Sequence, residues 1–197
     1  MKKNSLNFPN FLTLSRLILS PLVLPILLFY CLPLHFVYVN YFLALLFVLF
    51  SLTDFFDGYL ARKYKQETSL GSILDPMADK FLFYSVFIAL VASGKIFFYW
   101  AIIFIGREFF IMGLRIIALE KGFSISVSAW GKLKTIAQTI YVTLVIGNPF
   151  YVQDCPLSLL NHLETVMLII SLFLSLWSAY RYYKMFVQEF YTKNLAL

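Results

Sequence analysis

Residues 53–80 read TDFFDGYLARKYKQETSLGSILDPMADK, and this stretch holds four of the five aspartates of a 197-residue chain. On a helix, residues three or four apart share a face, so Asp54 lies beside Asp57 and Asp75 lies beside Asp79. A short connection between two such helices makes them antiparallel neighbours. The stretch therefore predicts a helical hairpin on which four carboxylates converge.

The composition around this stretch is that of a membrane protein. Apolar residues make up 61% of the chain and charged residues 13%, against usual values of about 45–50% and about 25%. A water-soluble fold of this size has too little interior to bury so much apolar surface. Disordered proteins and disulfide scaffolds are also excluded. We therefore expect an all-α integral membrane protein, folded as a single domain over residues 1–197.

Six segments approach the roughly 20 mostly apolar residues that a membrane-spanning helix needs. They run from about Phe11 to Tyr30, Val37 to Tyr64, Asp75 to Ser93, Phe97 to Lys121, Ser128 to Ile146 and Leu160 to Phe186. Lys and Arg collect at both chain ends and at the second and fourth connections, whereas the opposite side carries only Lys95. Because positive charge marks cytoplasmic loops, both termini and the four aspartates are predicted to face the cytoplasm.

Four neighbouring carboxylates cannot all stay ionised without compensation. Oxygen ligands without His or Cys suit hard cations such as Mg²⁺, Mn²⁺ or Ca²⁺, and two divalent ions would balance four charges. A two-metal site at a membrane surface suits chemistry on a diphosphate. Gly58 and Ala61 share the face of the first aspartate pair, where small side chains let a bulky ligand approach the backbone.

Plainer roles exist for the same residues. Asp75 precedes Pro76 and could cap the start of a helix, while Gly58 and Ala61 could serve helix packing. Carboxylates inside membrane segments are functional by default, which admits a cation transporter as well as an enzyme. A transporter should hold them near mid-membrane on interrupted helices, and here they cluster toward the cytoplasmic end. No basic run interleaved with aromatic residues indicates nucleic-acid binding.

One spacing pattern matches a known family at every specified position. It reads Asp54-x2-Asp57-Gly58-x2-Ala61-Arg62-x8-Gly71-x3-Asp75-x3-Asp79, and it resembles the signature of the CDP-alcohol phosphatidyltransferases, whose core is six membrane helices. Five further segments resemble the bacterial branch of that family that makes phosphatidylglycerol phosphate. They are Pro9-Asn10-x-Leu12-Thr13-Leu14-x-Arg16, Asp75-Pro76-x-Ala78-Asp79-Lys80, Gly106-Arg107-Glu108-Phe109, Gly113-Leu114-Arg115 and Gly131-Lys132-x-Lys134-Thr135-x-x-Gln138.

The resemblance implies a reaction and a set of roles. CDP-diacylglycerol would donate its phosphatidyl group to an alcohol, CMP would leave, and Asp79 would act as general base. Two divalent ions, Mg²⁺ or Mn²⁺, would be held by Asp54, Asp57, Asp75 and Asp79. The cytidine and diphosphate would be surrounded by Gly58, Ala61, Arg62 and Gly71. The resemblance also implies a homodimer in a bacterial inner (cytoplasmic) membrane, with the active site facing the cytoplasm.

The acceptor is predicted from charge, because glycerol 3-phosphate is a dianion and needs cations. Candidate ligands of its phosphate are Arg107, Arg115, Lys132, Lys134 and Arg181. The two earlier arginines lie in an apolar helix, where a bare guanidinium is costly. Arg107 pairing with Glu108 or an aspartate is an equal alternative. Lys132 and Lys134 also fit membrane topology and point about 200° apart on a helix, so that one of them faces away.

Other functions stay open at this point. The same donor could serve another acceptor, as in cardiolipin or phosphatidylinositol-phosphate synthesis. Membrane prenyltransferases also use Asp-rich helices and Mg²⁺ on a diphosphate, but the Gly58, Ala61-Arg62 and Gly71 positions argue against them. Arg181 could be a residue whose charge reaches the membrane surface from the end of a helix. The aromatic residues of Tyr180-Tyr182-Tyr183 are expected to face lipid or its interface.

Overall fold

The computed structural model describes residues 22–63, 69–121, 123, 129–149 and 159–194, without the side chains of residues 53–79, 119, 129 and 192–194. All regular structure in these ranges is helical, as expected. Helix α1 covers residues 22–31 and leads into the 3-10 turn Leu32–Leu34. The helices that follow are α2 (Val37–Lys63), α3 (Ser69–Ala92), α4 (Phe98–Glu120), α5 (Ala129–Gly147) and α6 (Leu159–Asn194).

Two helices differ from the sequence-based boundaries. Helix α3 begins at Ser69 rather than near Asp75, so Asp75 lies in its second turn and the helix-cap interpretation of this residue is wrong. Pro76 follows inside the helix, where it has no backbone N–H to donate. Helix α6 continues to Asn194, beyond the predicted end near Phe186. The predicted first span before residue 22, with the motif from Pro9 to Arg16, lies outside the described residues.

The backbone divides into two compact units. Unit 1 comprises Met1–Ile96 and Thr143–Pro156, and unit 2 comprises Phe97–Val142 and Leu157–Leu197. The aspartate motif belongs to unit 1. All five predicted acceptor ligands belong to unit 2. A single-domain organisation of residues 1–197 stays a prediction.

Helices α2 and α3 of unit 1 form an antiparallel hairpin. Phe47 of α2 is fully buried, and its ring meets that of Phe83 of α3 edge-on, with centroids 5.8 Å apart. Only residues 64–68 separate the two helices. The two phenylalanines lie at similar distances along the chain from that connection. The helices therefore run side by side in opposite directions, as the sequence predicts.

Phe47→Ala tests whether this ring holds the hairpin together. Removing a buried phenylalanine side chain is expected to cost about 3–5 kcal/mol of unfolding free energy, through lost burial and the cavity left behind. Phe42→Ala on the same helix is the matched control, because its side chain is 58% exposed. Thermal unfolding of the purified protein in detergent measures both. Equal losses of stability in the two variants would show that the contact between Phe47 and Phe83 does not stabilise the hairpin.

Three segments of unit 1 meet at the carbonyl groups of Asn148 and Pro149. Lys95 donates from Nζ to the Asn148 carbonyl at 2.6 Å, and Asn40 donates from Nδ2 to the same oxygen at 3.3 Å. The Nδ1 of His35 donates to the Pro149 carbonyl at 3.1 Å. These carbonyls belong to the two residues directly after α5, which ends at Gly147. The three side chains thus anchor the segment that follows α5 to the other connections of unit 1.

Helix α6 packs against α4 in unit 2. The buried side chains at this contact are Ile111 and Leu114 of α4 and Tyr182 of α6. Phe186 extends the contact on α6, and its ring lies 5.7 Å from that of Phe123. The pairing brings the charged residues of α4 next to the later turns of α6.

Helix α6 hides polar residues and exposes apolar ones. Its buried face carries Ser171, Ser175 and Ser178, all at 0% exposure, while Phe173 and Leu176 are 63% and 55% exposed. Small hydroxyl residues between helices and bulky apolar residues outside are the arrangement of a helix in lipid. Leu159–Tyr191 is long and apolar enough to cross a membrane. Shorter apolar segments among the described residues are Leu22–Leu34, Val37–Leu52 and Lys80–Ala92.

Candidate active site

The hairpin places the backbone of the four aspartates in one band. Measured from the Phe47–Phe83 contact toward the connection, the aspartates of α2 lie about 10 and 15 Å along the helix axis, at 1.5 Å per residue. Those of α3 lie about 6 and 12 Å along their own axis. Asp54 and Asp57 are three residues apart on α2, and Asp75 and Asp79 are four apart on α3. The backbone therefore allows the four carboxylates to meet at similar heights on adjoining helices.

This arrangement fits the donor set of a divalent-metal site. Carboxylate oxygens are the ligands that Mg²⁺ and Mn²⁺ prefer, and four carboxylates balance the charge of two such ions. The side chains of residues 53–79 lie outside the description, so the sites themselves stay predictions. Among the side chains that are described, no group of three His, Cys, Asp or Glu residues could hold a metal ion.

The predicted donor-binding residues lie on the same two helices. Gly58, Ala61 and Arg62 belong to α2, and Gly71 belongs to α3 because that helix starts earlier than expected. Gly71 precedes Asp75 by four residues, one turn of helix, and therefore lies on the aspartate face. The small residues thus continue both aspartate stripes toward the connection. This position of Gly71 follows from the helix boundary, which the sequence did not predict.

A buried charged cluster lies in unit 2. Arg107 and Glu108 follow one another on α4, and Lys134 comes from α5. Arg107 donates from NH1 to Glu108 Oε1 at 2.6 Å, and Lys134 Nζ contacts the same oxygen. The side chains are 7%, 14% and 7% exposed, respectively. One carboxylate oxygen of Glu108 therefore lies between two buried positive charges.

Helix α6 fixes the orientation of the Arg107 guanidinium. Its Nε donates to the Ser175 carbonyl at 3.1 Å, and NH2 donates to Ser178 Oγ at 2.5 Å. The sequence allowed Arg107 either to bind phosphate or to pair with an acidic residue, and the structure shows the ion pair with Glu108. A role in phosphate binding is compatible with it, because a guanidinium has five N–H donors.

Arg115 lies two turns further along α4 and meets a tyrosine. Its NH2 donates to the Tyr182 hydroxyl at 2.7 Å, and its guanidinium carbon lies 5.3 Å from the centroid of the Tyr182 ring. The buried Nε has no hydrogen-bond partner among the described residues. A buried donor without a partner is costly. Arg115 is thus oriented by Tyr182, and its Nε keeps a donor without a partner among the described residues.

The other two basic candidates are exposed. Lys132 is exposed while Lys134 is 5% exposed, as the angle between them on a helix predicted. Arg181 is exposed on α6 next to the buried Tyr182. The structure thus gathers Arg107 and Lys134 around one carboxylate, places Arg115 on the same helix as Arg107, and leaves Lys132 and Arg181 at the surface.

Two residues of this site were missed from the sequence. Glu108 was considered only as a partner of Arg107, although it was the one acid in the Gly106-Arg107-Glu108-Phe109 segment. Tyr182 was expected to face lipid or its interface, and this was wrong because its side chain is 2% exposed. Its neighbours Tyr180 and Tyr183 are 57% and 49% exposed, as expected. Helical spacing from the buried serines of α6 could have singled out Tyr182, which lies four residues after Ser178.

Comparison with known proteins defines the class of protein. The model of the CDP-alcohol phosphatidyltransferase family matches residues 6–177, which is most of the chain. The chain belongs to the CDP-alcohol phosphatidyltransferase family. A protein of Rickettsia typhi named CDP-diacylglycerol--glycerol-3-phosphate 3-phosphatidyltransferase is 38% identical, over 90% of this chain and 96% of that protein. Proteins of Sodalis glossinidius and Yersinia enterocolitica with the same name are 36% and 38% identical, over 90% of this chain and 93% of theirs.

Proposed function

We propose that this protein transfers the phosphatidyl group of CDP-diacylglycerol to glycerol 3-phosphate, giving phosphatidylglycerol phosphate and CMP. The observation that carries the proposal is the near full-length similarity to proteins named for this reaction, at 36–38% identity. The complete aspartate signature and the buried basic residues of α4 and α5 support it. The relatives' name favours glycerol 3-phosphate over the acceptors of cardiolipin or phosphatidylinositol-phosphate synthesis.

The reaction assigns a step to Asp79. The acceptor hydroxyl attacks the phosphatidyl phosphorus, the bond from that phosphorus to the oxygen of CMP breaks, and CMP leaves with the electron pair. Asp79 accepts the proton of the attacking hydroxyl as general base. Asp54, Asp57, Asp75 and Asp79 would hold two Mg²⁺ or Mn²⁺ ions, which when bound stabilise the negative charge of the diphosphate and of the leaving group.

The donor is held by the small residues of the hairpin in this proposal. Gly58, Ala61 and Gly71 leave room for the cytidine and diphosphate beside the helix backbones. Arg62 supplies a positive charge for the diphosphate. The acyl chains stay among the helices on the side open to the bilayer.

The acceptor phosphate is bound by the basic residues of unit 2. Arg107 and Lys134 are buried and close together, and Arg115 has a free buried donor. Charge-assisted hydrogen bonds from such groups to phosphate are about twice as strong as neutral ones. The exposed Lys132 and Arg181 add positive charge that attracts the dianion before it is bound.

The protein is proposed to cross a bacterial inner membrane six times, with both termini and the active site at the cytoplasmic face, and to act as a homodimer. The apolar exposed face of α6 and its polar buried face support membrane insertion. The distribution of Lys and Arg supports the orientation. Lys95, the exception on the outer side, is bound to the Asn148 carbonyl, which explains how it is accommodated there.

The decisive experiment measures CMP release by the purified protein in detergent with CDP-diacylglycerol and Mg²⁺ or Mn²⁺. Glycerol 3-phosphate, phosphatidylglycerol, inositol phosphate and inositol are offered separately as acceptors. We expect CMP release with glycerol 3-phosphate and not with the other three acceptors. Release only with another acceptor would overturn the acceptor assignment, and the absence of release with all of them would overturn the enzymatic function.

Arg115→Lys tests the acceptor site. The variant keeps the charge but loses the guanidinium fork and its contact with Tyr182, so the KM for glycerol 3-phosphate is expected to rise about tenfold or more, the equivalent of one charge-assisted hydrogen bond. The KM for CDP-diacylglycerol should change less than twofold. Lys184→Gln, an exposed cation on α6, is the control. A variant whose two KM values rise together would place Arg115 outside the acceptor site.

A further inference from the structure

One carboxylate oxygen holds two buried cations from different helices. Glu108 Oε1 accepts from Arg107 NH1 at 2.6 Å and also contacts Lys134 Nζ. Since both nitrogens lie within hydrogen-bond distance of the same oxygen, they are within about 5 Å of each other. All three side chains are at least 86% buried. Two cations this close would repel each other strongly without an anion between them.

Arg107 contacts α6 with one edge of its guanidinium and Glu108 with another. The Nε and NH2 groups are bound to the Ser175 carbonyl and the Ser178 hydroxyl of α6. The NH1 group is the one directed at Glu108. An anion that displaced Glu108 would therefore find the guanidinium already oriented by α6. Lys134 offers its ammonium group at the same point.

We propose that Glu108 is a positioning residue that serves as the resident counter-ion of the acceptor site, holding Arg107 and Lys134 together until the phosphate of the acceptor displaces it. The inference rests on the proposed function, because it takes the displacing anion to be the phosphate of glycerol 3-phosphate. In this role, the Glu108 carboxylate competes with the acceptor for the two cations. A phosphate binds only if it interacts with them more strongly than the carboxylate does, so weakly charged anions and neutral alcohols are rejected.

Glu108→Gln removes the competing charge and keeps the shape of the side chain. The substitution removes one negative charge from between Arg107 and Lys134, so that the two cations attract other anions more strongly. The inhibition constant of inorganic phosphate, measured against glycerol 3-phosphate, is expected to fall about tenfold, the effect of releasing one charge-assisted contact. The KM for glycerol 3-phosphate should fall in the same direction. The kcat should also fall, because the acceptor is bound more tightly before the transition state and the cations are less well oriented.

A structural role alone predicts a different outcome. If Glu108 only joined α4 to α5, Glu108→Gln would lower the thermal stability and the yield without changing the phosphate affinity of the folded protein. Glu120→Gln, an exposed carboxylate at the end of the same helix, should leave both KM and phosphate inhibition at the wild-type values. An inhibition constant for phosphate that is unchanged or higher in Glu108→Gln overturns the proposal.

The double variant Glu108→Gln/Lys134→Gln restores the charge balance of the cluster. It should fold even if Glu108→Gln does not, since removing both partners of a buried ion pair is far less harmful than removing one. Its inhibition constant for phosphate should lie well above that of Glu108→Gln. Failure of both variants to fold would overturn the proposal, because it would show a packing role for Glu108 that charge balance does not relieve.

Two measurements separate the counter-ion role of Glu108 from the proposed phosphatidyl transfer. Inactive wild-type protein with glycerol 3-phosphate would remove the proposed acceptor. The shift in unfolding temperature that inorganic phosphate causes in the wild type and in Glu108→Gln reports anion binding without any turnover. A larger shift in Glu108→Gln supports the counter-ion role, and equal shifts in an active wild type and in the variant overturn it.

Discussion

Asp79→Asn is expected to lower CMP release from CDP-diacylglycerol and glycerol 3-phosphate by about 10³-fold or more, the usual contribution of a general base. The amide has nearly the same size as the carboxylate but accepts no proton at neutral pH. It also removes one negative charge from the predicted metal ligands, which adds to the loss. Steady-state CMP release at saturating substrates measures the effect, and thermal unfolding confirms that the variant is folded.

Asp154→Asn is the matched control for that substitution. Asp154 is the fifth aspartate of the chain and lies outside the signature, so its variant should retain wild-type turnover. Turnover of Asp79→Asn within tenfold of the wild type would remove Asp79 as general base. Equal losses in the two variants would show that aspartates matter here only through folding or net charge.

Removing divalent cations is expected to abolish activity completely and reversibly. Four carboxylates in one band of the hairpin repel one another without cations, and the diphosphate of the donor adds further negative charge. EDTA should reduce CMP release to the background rate, and excess Mg²⁺ or Mn²⁺ should restore it. Because two ions are proposed, the rate should rise with metal concentration with a Hill coefficient above one.

The control for this experiment is EDTA already saturated with Mg²⁺, which should leave the rate unchanged. Persistence of full activity in EDTA, after dialysis against it, would contradict the metal assignment of Asp54, Asp57, Asp75 and Asp79. A rate that depends on metal concentration without cooperativity would contradict the second ion. Neither result depends on the identity of the acceptor.

Most of the helical fold could be predicted from the sequence. The described ends of α2, α4 and α5 lie within about two residues of the predicted ones, the usual margin for helix ends, because apolar runs and short polar connections mark them. The start of α3 and the end of α6 could not be predicted. Ser69–Leu74 contains polar residues and glycine before a proline, and the end of α6 is rich in polar residues beyond the apolar run. Both segments are helical although neither continues the apolar pattern.

The partners of the charged residues were less predictable. The sequence marked Arg107, Arg115 and Lys134 as basic residues in apolar surroundings, and this required some compensation. It did not show that one carboxylate oxygen of Glu108 contacts both Arg107 and Lys134, since Lys134 is 26 residues further along the chain than Glu108. It also did not show that Tyr182 is buried and binds Arg115, 67 residues earlier.

The sequence by itself determined the class of the protein, the two aspartate pairs and their helical faces, because composition and spacing along one helix are local properties. The tertiary structure decided which buried charges share a partner. That choice depends on which side chains of α4, α5 and α6 face one another, and packing between distant segments sets it. A guanidinium and an ammonium buried so close together need a negative charge beside them, and the fold places Glu108 at that point.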